Sequence, residues 1–235
     1  MAPYYEAYQQ RYNAIAAAGI ELWGHSEAEL QDVLARWVDK NVLSGRRVVE
    51  FACGEGSGGV VLAQLGCEYL GADVAPYAVE KSRERLSGFP NARVQCLDLV
   101  REAPDGEFDA ALDISGLHML ITDAHRLAYL KNMHKCLKKG APVLLYCEAY
   151  HRDFPDCQIE SVEMWAKISG MDFTSPQRRQ MRGKEVMLPT LPARPMSRQG
   201  YAAELRAAGF AMEDFIPMNA HNGEHFAAGI QARRM

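Results

Sequence analysis

The chain has 235 residues, 48% of them hydrophobic, six cysteines and a formal net charge of −4. That length suits one domain with a sizeable core, and the acidic balance argues against a nucleic-acid face, which needs clustered basic residues to displace counterions. No stretch approaches the roughly 20 apolar residues of a membrane helix, no basic-then-apolar leader opens the chain, and no CxxC pair is present, so a cytoplasmic protein with reduced thiols, monomer or homodimer, is expected.

The first 45 residues read as helical. Tyr5, Tyr8 and Tyr12 recur at helical spacing, and Ser26 with Glu29 forms an S-x-x-E capping box ahead of Leu30, Val33, Leu34, Trp37 and Val38. Arg46 to Phe51 is a short apolar strand, followed by a glycine-rich turn and a helix opening near Val60. Tyr69 to Ala72 leads to Asp73, and Pro76 suits the first turn of a helix. Ala92 to Cys96 and Phe108 to Leu112 read as strands. Asp123 is placed to cap a helix bearing Leu127, Leu130, Met133 and Leu137, which Gly140 would end, and Pro142 to Cys147 is a fifth strand. This alternation predicts a parallel sheet with helices on both faces. From Glu148 to Met196 the rhythm breaks, with a short helix at Ile159 to Ile168 and a hairpin around Gly183. Ser197 then caps a helix that Gly209 ends, and Phe210 to Pro217 and Glu224 to Ala232 close the fold as two strands.

Function is concentrated in the run Val48 to Gly59, where an apolar strand meets Glu50 and then Gly54, Gly56, Gly58 and Gly59. Glycines at a strand-to-helix turn let backbone approach a ligand, and the helix start offers free N–H groups and a partial positive charge. Asp73 follows Gly54 by nineteen residues, an offset that suits a carboxylate on ribose hydroxyls. Gly54, Gly56 and Gly59 satisfy the dinucleotide pattern G-x-G-x-x-G, so an NAD-dependent oxidoreductase stays open on this motif alone.

The run Glu50-Phe51-Ala52-Cys53-Gly54-Glu55-Gly56 resembles the first motif of the class I methyltransferases that use S-adenosylmethionine, with Ala52 in place of the first glycine. Gly71 to Pro76 resembles the second-strand end, Cys96 to Leu99 the third, Phe108 to Asp113 with Leu117 to Leu120 the fourth, and Leu137 to Leu145 the turn into the fifth, its proline-glycine-glycine core altered to Lys139-Gly140-Ala141. The resemblance covers about residues 46–147 and, less closely, 197–232. It implies a Rossmann-like α/β fold with a seven-stranded, mostly parallel sheet whose last strand is antiparallel. It also implies S-adenosylmethionine as cofactor, held by Glu50, Ala52, Cys53, Gly54, Gly56, Asp73, Val74, Asp98, Leu99, Asp113 and Ile114. The expected plan is a single domain over 1–235, with a helical lid at 1–45, a cofactor-binding core at 46–147, a substrate-cap insertion at 148–196 and a closing helix and strand pair at 197–235.

Tyr12 and Trp23 are candidates to close over the cofactor, since aromatic faces attract a sulfonium; ordinary packing of an amphipathic helix explains the tyrosines equally well. His118, five residues past Asp113, and His151 are candidate general bases. Glu148, His151, Arg194 and His221, with His118, are candidate substrate contacts, and no metal site is expected from their spacing. Six basic residues between Pro176 and Gly200, Arg194 among them, face Glu185 alone. A basic cap of that kind suits an anionic acceptor, and a solvated hairpin explains it as well. The expected activity is methyl transfer to a small, nucleophilic molecule, with a non-catalytic cofactor-binding protein as the other alternative and no nucleic-acid or membrane partner.

Overall fold

The computed structural model describes residues 4–155, 157–221 and 224–235. A 3-10 turn at Tyr4–Ala7 leads into α1 (Tyr8–Ala17) and α2 (Glu27–Asn41), the latter started by the Ser26/Glu29 capping box. The core then alternates β1 (Arg47–Phe51), α3 (Ser57–Gln64), β2 (Glu68–Asp73), α4 (Pro76–Leu86), β3 (Ala92–Cys96), β4 (Ala110–Ile114), α5 (Asp123–Cys136) and β5 (Pro142–Ala149). After it come α6 (Val162–Ser169), the hairpin β6 (Gln177–Met181) and β7 (Lys184–Leu188), α7 (Arg198–Ala207), and the long pair β8 (Phe210–His221) and β9 (Glu224–Arg234).

Seven strands form one sheet in the order β3-β2-β1-β4-β5-β9-β8. β1 to β5 pair in parallel, β9 runs antiparallel to β5, and β8 antiparallel to β9. This is the Rossmann-like arrangement expected from the sequence. Side chains alternate across a strand, so Val49, Phe51, Ala111, Val143 and Leu145 face a layer built from α5 and α7 with Leu130, Met133, Tyr201 and Leu205. Val48, Ala110, Leu112 and Leu144 face the other layer, where Leu34 and Trp37 of α2 meet Val61 and Leu62 of α3.

Several boundaries differ from expectation for local reasons. Phe108 precedes β4 and makes only an isolated bridge to Leu137, its ring lying under the Arg47 guanidinium. Thr122, not Asp123, caps α5: its backbone is extended and its hydroxyl accepts from His125 N. Asp123 becomes the first helical residue and accepts instead from Ile159 N. The same helix ends at Cys136, and Gly140, with φ of +77°, shapes the turn into β5. Ser161 caps α6 and delays its start to Val162. At the tip of the β6–β7 hairpin Arg182 and Gly183 both take positive φ, as a two-residue hairpin turn requires. The hairpin lies against α1, sharing a small apolar cluster of Ile15, Ile20, Val186 and Leu188.

Among the described residues, no helix is long and apolar enough to cross a membrane.

Candidate functional site

The carboxyl ends of the central parallel strands enclose a cavity of about 400 Å³, within the usual span of small-molecule sites. At the end of β1 the chain passes through three left-handed residues, Ala52 (φ +54°), Gly54 (+53°) and Gly56 (+86°). The Gly54 N–H donates to Asp73 Oδ2 at 2.9 Å and the Ala75 N–H to Asp73 Oδ1 at 2.8 Å. One buried carboxylate thus ties the loops after β1 and β2 into a single rim. Burial raises the Asp73 pKa, and the backbone N–H groups oppose that rise. A side chain at Gly54 would put its Cβ 3.0 Å from the Tyr12 hydroxyl, so the glycine is what lets the N-terminal segment close down.

Glu50 forms part of the cavity floor and accepts from the Tyr69 hydroxyl at 2.5 Å. Burial pushes its pKa up to about 8, with the Tyr69 hydrogen bond opposing. Across the cavity Val74, Leu97 and Leu99 offer apolar walls beside Asp98. Asp98 accepts from Tyr5 Oη at 3.0 Å and from Val100 N at 3.0 Å, and pairs with Arg101 at 3.2 Å. The roof is Tyr5, Tyr8, Tyr12 and Trp23. Tyr12 meets Trp23 edge-on at 5.0 Å, Tyr8 stacks on Trp23 at 6.1 Å, and Trp23 N donates to Glu55 Oε2 at 2.7 Å. Roof and insertion are tied by Tyr8 Oη to Pro192 O and Arg11 Nη2 to Pro189 O.

Of the cofactor candidates, Glu50, Ala52, Cys53, Gly54, Asp73, Val74, Asp98, Leu99, Ile114, Tyr12 and Trp23 all line this cavity. Two do not. A Cβ on Gly56 would run into Ser82 of α4, so this glycine serves helix packing behind the rim. Asp113 is fully buried behind Tyr129, accepting from Tyr129 Oη at 2.7 Å and from Gly116 N at 2.7 Å.

The substrate and base candidates scatter. His118 turns from the cavity to Glu148: its backbone N–H and ring Nδ1 lie 2.7 Å and 3.0 Å from Glu148 Oε2. Glu148 itself is fully buried. His151, three residues on, is exposed, so the two part company. Arg194 is buried as a strut, donating to Ile121 O, Asp123 Oδ1 and Cys157 O. His221 pairs with Glu224 at the end of β8, and its side chain lies outside the described residues. Most of the basic excess in the insertion is likewise spoken for: Arg178 pairs with Glu185, Lys184 donates to Ala18 O and Gly19 O, and Arg182 donates to Leu22 O while reaching the cavity rim.

Sequence reading missed Tyr129, Ser115 and Gly116, which line the wall beyond β4. Tyr129 sits next to Leu130 on the apolar stripe of α5, where an aromatic reads as core; only its hydroxyl, sixteen residues from Asp113, marks it out. Ser115, with φ of +61°, and Cys147, with +57°, show no positional signal in sequence.

The donor set fits an adenosine-bearing sulfonium. Asp73 and Asp98 line the cavity with carboxyl groups, Asp98 being also engaged by Tyr5 and Arg101, the base would lie between apolar walls, and Gly54 leaves the rim open to backbone approach.

Residues 49–143 match the family described as Methyltransferase domain. The ribosomal protein L11 methyltransferase of Hahella chejuensis is 27% identical over 141 residues, covering 57% of this chain and 48% of that protein. The chain thus spans about half the length of that relative. Magnesium protoporphyrin IX methyltransferase from Synechocystis PCC 6803, solved with bound S-adenosylmethionine, superposes with a TM-score of 0.66 at 14% identity, covering 100% of this chain and 99% of that one. The [4+2]-cyclase SpnF superposes with a TM-score of 0.70 at 16% identity over 99% and 97% of the two chains. At these identities the superpositions establish the fold.

Proposed function

We propose that the chain is a class I methyltransferase that uses S-adenosylmethionine, as the match of residues 49–143 and the shared fold support, and that it moves the methyl group to a nucleophilic atom of a small molecule by in-line displacement. The observation that carries this reading is the roof. Tyr5, Tyr8, Tyr12 and Trp23 close the cavity, and Tyr5 bonds the same Asp98 that faces the adenine-sized slot. Four aromatic side chains over the cavity favour a compact acceptor, reaching in beside the cofactor, over the surface of a folded protein.

The Gly54 loop with Glu50 would take the amino-acid end of the cofactor, Asp73 the ribose, and Asp98 with Val74, Leu97 and Leu99 the base. When bound, the cofactor supplies a methyl group already activated on a sulfonium. The protein's part is to orient and to exclude water. Orientation is worth roughly 7–11 kcal/mol in favourable cases, and the aromatic roof, with the Arg11 guanidinium already over the Trp23 ring, keeps water out. The lid at 1–45 and the insertion at 148–196 are the acceptor-binding parts, and Arg182 at the rim is the residue of the insertion that would meet an anionic acceptor.

Incubation with methyl-labelled S-adenosylmethionine and a panel of small hydroxy, amino and thiol compounds tests the assignment. Labelled small molecules are the expected product. Label on ribosomal protein instead would favour the second reading, a protein acceptor, which the L11 methyltransferase relatives suggest. Calorimetry with S-adenosylmethionine, S-adenosylhomocysteine and NAD reads the cofactor directly; tight binding without product from any acceptor would mark a non-catalytic protein.

A further inference from the structure

Behind the cavity lies a chain of polar groups that packing alone does not require. Tyr129 faces the cavity and donates to Asp113 Oδ2 at 2.7 Å. Asp113, fully buried on β4, neighbours Glu148, fully buried past the bulge in the adjacent β5. Glu148 Oε2 meets His118 twice, at 2.7 Å and 3.0 Å, but Glu148 Oε1 is buried and has no hydrogen-bond partner. An orphaned carboxylate oxygen is costly, because charged acceptors are the most expensive to strand. A proton between the two carboxyls removes both the orphan and the repulsion of like charges. Burial and the neighbouring Glu148 hold the Asp113 pKa well above the carboxylate range, which agrees with that proton.

Resting on the methyl-transfer reading, we propose that Asp113 and Glu148 share one proton and form a proton sink for the reaction, entered from the cavity through Tyr129 and drained to solvent through His118. The acceptor would be one that carries an O–H or N–H. As its new bond to the methyl carbon forms and the carbon–sulfur bond breaks, its proton passes to the Tyr129 oxygen. The Tyr129 phenol proton moves to Asp113 and becomes the shared proton of a pair that the bound sulfonium had left unprotonated. His118, whose side chain is 13% exposed, passes that proton to water when the next sulfonium enters.

The surroundings favour a pair that changes charge by one. Arg126 of α5 is buried close by, but its guanidinium is committed to Glu204 at 2.6 Å and 2.8 Å. Tyr201 of α7 and Tyr129 of α5 feel the pair's negative charge without neutralising it, and Asp73 adds further negative charge on the Tyr129 side. A cation in the cavity adds to the counter-charge that Arg126, and His118 at 3.0 Å from Glu148, supply. The sulfonium form of the cofactor therefore favours loss of the shared proton, and the neutral thioether favours its retention. That charge change matches the reaction, in which the site loses one positive charge as the acceptor gives up a proton.

Calorimetric titration in two buffers of different ionisation heat, at pH 7, counts the protons released on binding. S-adenosylmethionine should release more than S-adenosylhomocysteine, by about half a proton or more. Both ligands carry the same amino-acid end, so any proton lost by Glu50 cancels in the difference. The difference should vanish in Glu148→Gln and in Asp113→Asn. Should either variant fail to fold, carbon-13 NMR of aspartate-labelled wild type decides: Asp113 must be protonated at pH 7 in the free protein. Equal proton counts for the two ligands, or an ionised Asp113, overturn the proton path. Failure of both ligands to bind would instead overturn the methyltransferase reading.

Discussion

The two walls of the cavity are built by different means. The core wall is backbone held by buried acid: Asp73 fixes the loops after β1 and β2 through two N–H groups, and both loops start from strands paired on both sides. The roof is held by side chains: Tyr5 and Tyr8 pack into the main core, Tyr5 reaches Asp98, Glu55 takes Trp23 N, and further contacts end on lone carbonyls. Tyr8 takes Pro192 O, Arg11 takes Pro189 O, Lys184 takes Ala18 O and Gly19 O, and a cluster of only four buried apolar residues joins α1 to the β6–β7 hairpin. Replacing a strand ladder by single contacts lowers the free energy of local opening. The core is therefore the fixed part of the site, and we propose that the roof is the part that opens to admit ligand.

The sharpest way to break this contrast is at Asp73. Asp73→Ala strands two backbone N–H groups and removes the proposed ribose acceptor at once. A stability loss of about 3 kcal/mol in urea denaturation and loss of measurable cofactor binding by calorimetry are expected. Retained affinity would mean that the rim does not hold the cofactor. A smaller effect, of opposite sign, is expected at Glu50. Its value of about 8 in the fold against 4.5 ordinarily means that the folded state keeps a proton the unfolded chain has released. Stability should then fall as pH rises from about 4.5 to 8, and Glu50→Gln should flatten that fall and stabilise the protein at pH 8 by about 1–2 kcal/mol. Denaturant midpoints measured from pH 5 to 8 for both proteins check it. Smaller again is the roof. Lys184→Met removes two contacts at the α1 C-terminus at about 0.5–1 kcal/mol. It should hasten cofactor release in stopped-flow experiments and raise amide exchange in residues 8–24, leaving the core strands unchanged.

How much of this was legible in sequence follows the same division. Glu50, Gly54, Asp73 and Asp98 stand at strand ends, where the two-residue period and the turn glycines fix position, and all four reach the cavity. Arg194 and His118 were misplaced because each is captured by a partner distant in sequence: Asp123 Oδ1 and Ile121 O for the arginine, Glu148 for the histidine. Asp113 has the right strand and the right end, yet Tyr129 from α5 comes between it and the cavity. Which of two buried groups stands in front is set by helix–sheet packing, and no local pattern encodes it.

A change at Ala52 alone tests the one departure of the glycine loop from its motif. Ala52 occupies the first glycine's place with φ of +54°, and a Cβ in that region costs about 1–2 kcal/mol. Ala52→Gly relieves this but frees the unfolded chain by about 0.4–1 kcal/mol, so the net gain should stay under about 1.6 kcal/mol. The alanine also constrains its neighbour. A Cβ on Gly116 would stand 2.7 Å from Ala52 Cβ and 2.6 Å from Asp113 Oδ1. Gly116→Ala alone should therefore be severely destabilising. In the Ala52→Gly background one of the two clashes disappears, so the double variant should recover part of the loss. A double-mutant cycle in urea reads this as a coupling of about 1 kcal/mol or more; strict additivity would mean that the loops after β1 and β4 do not touch there.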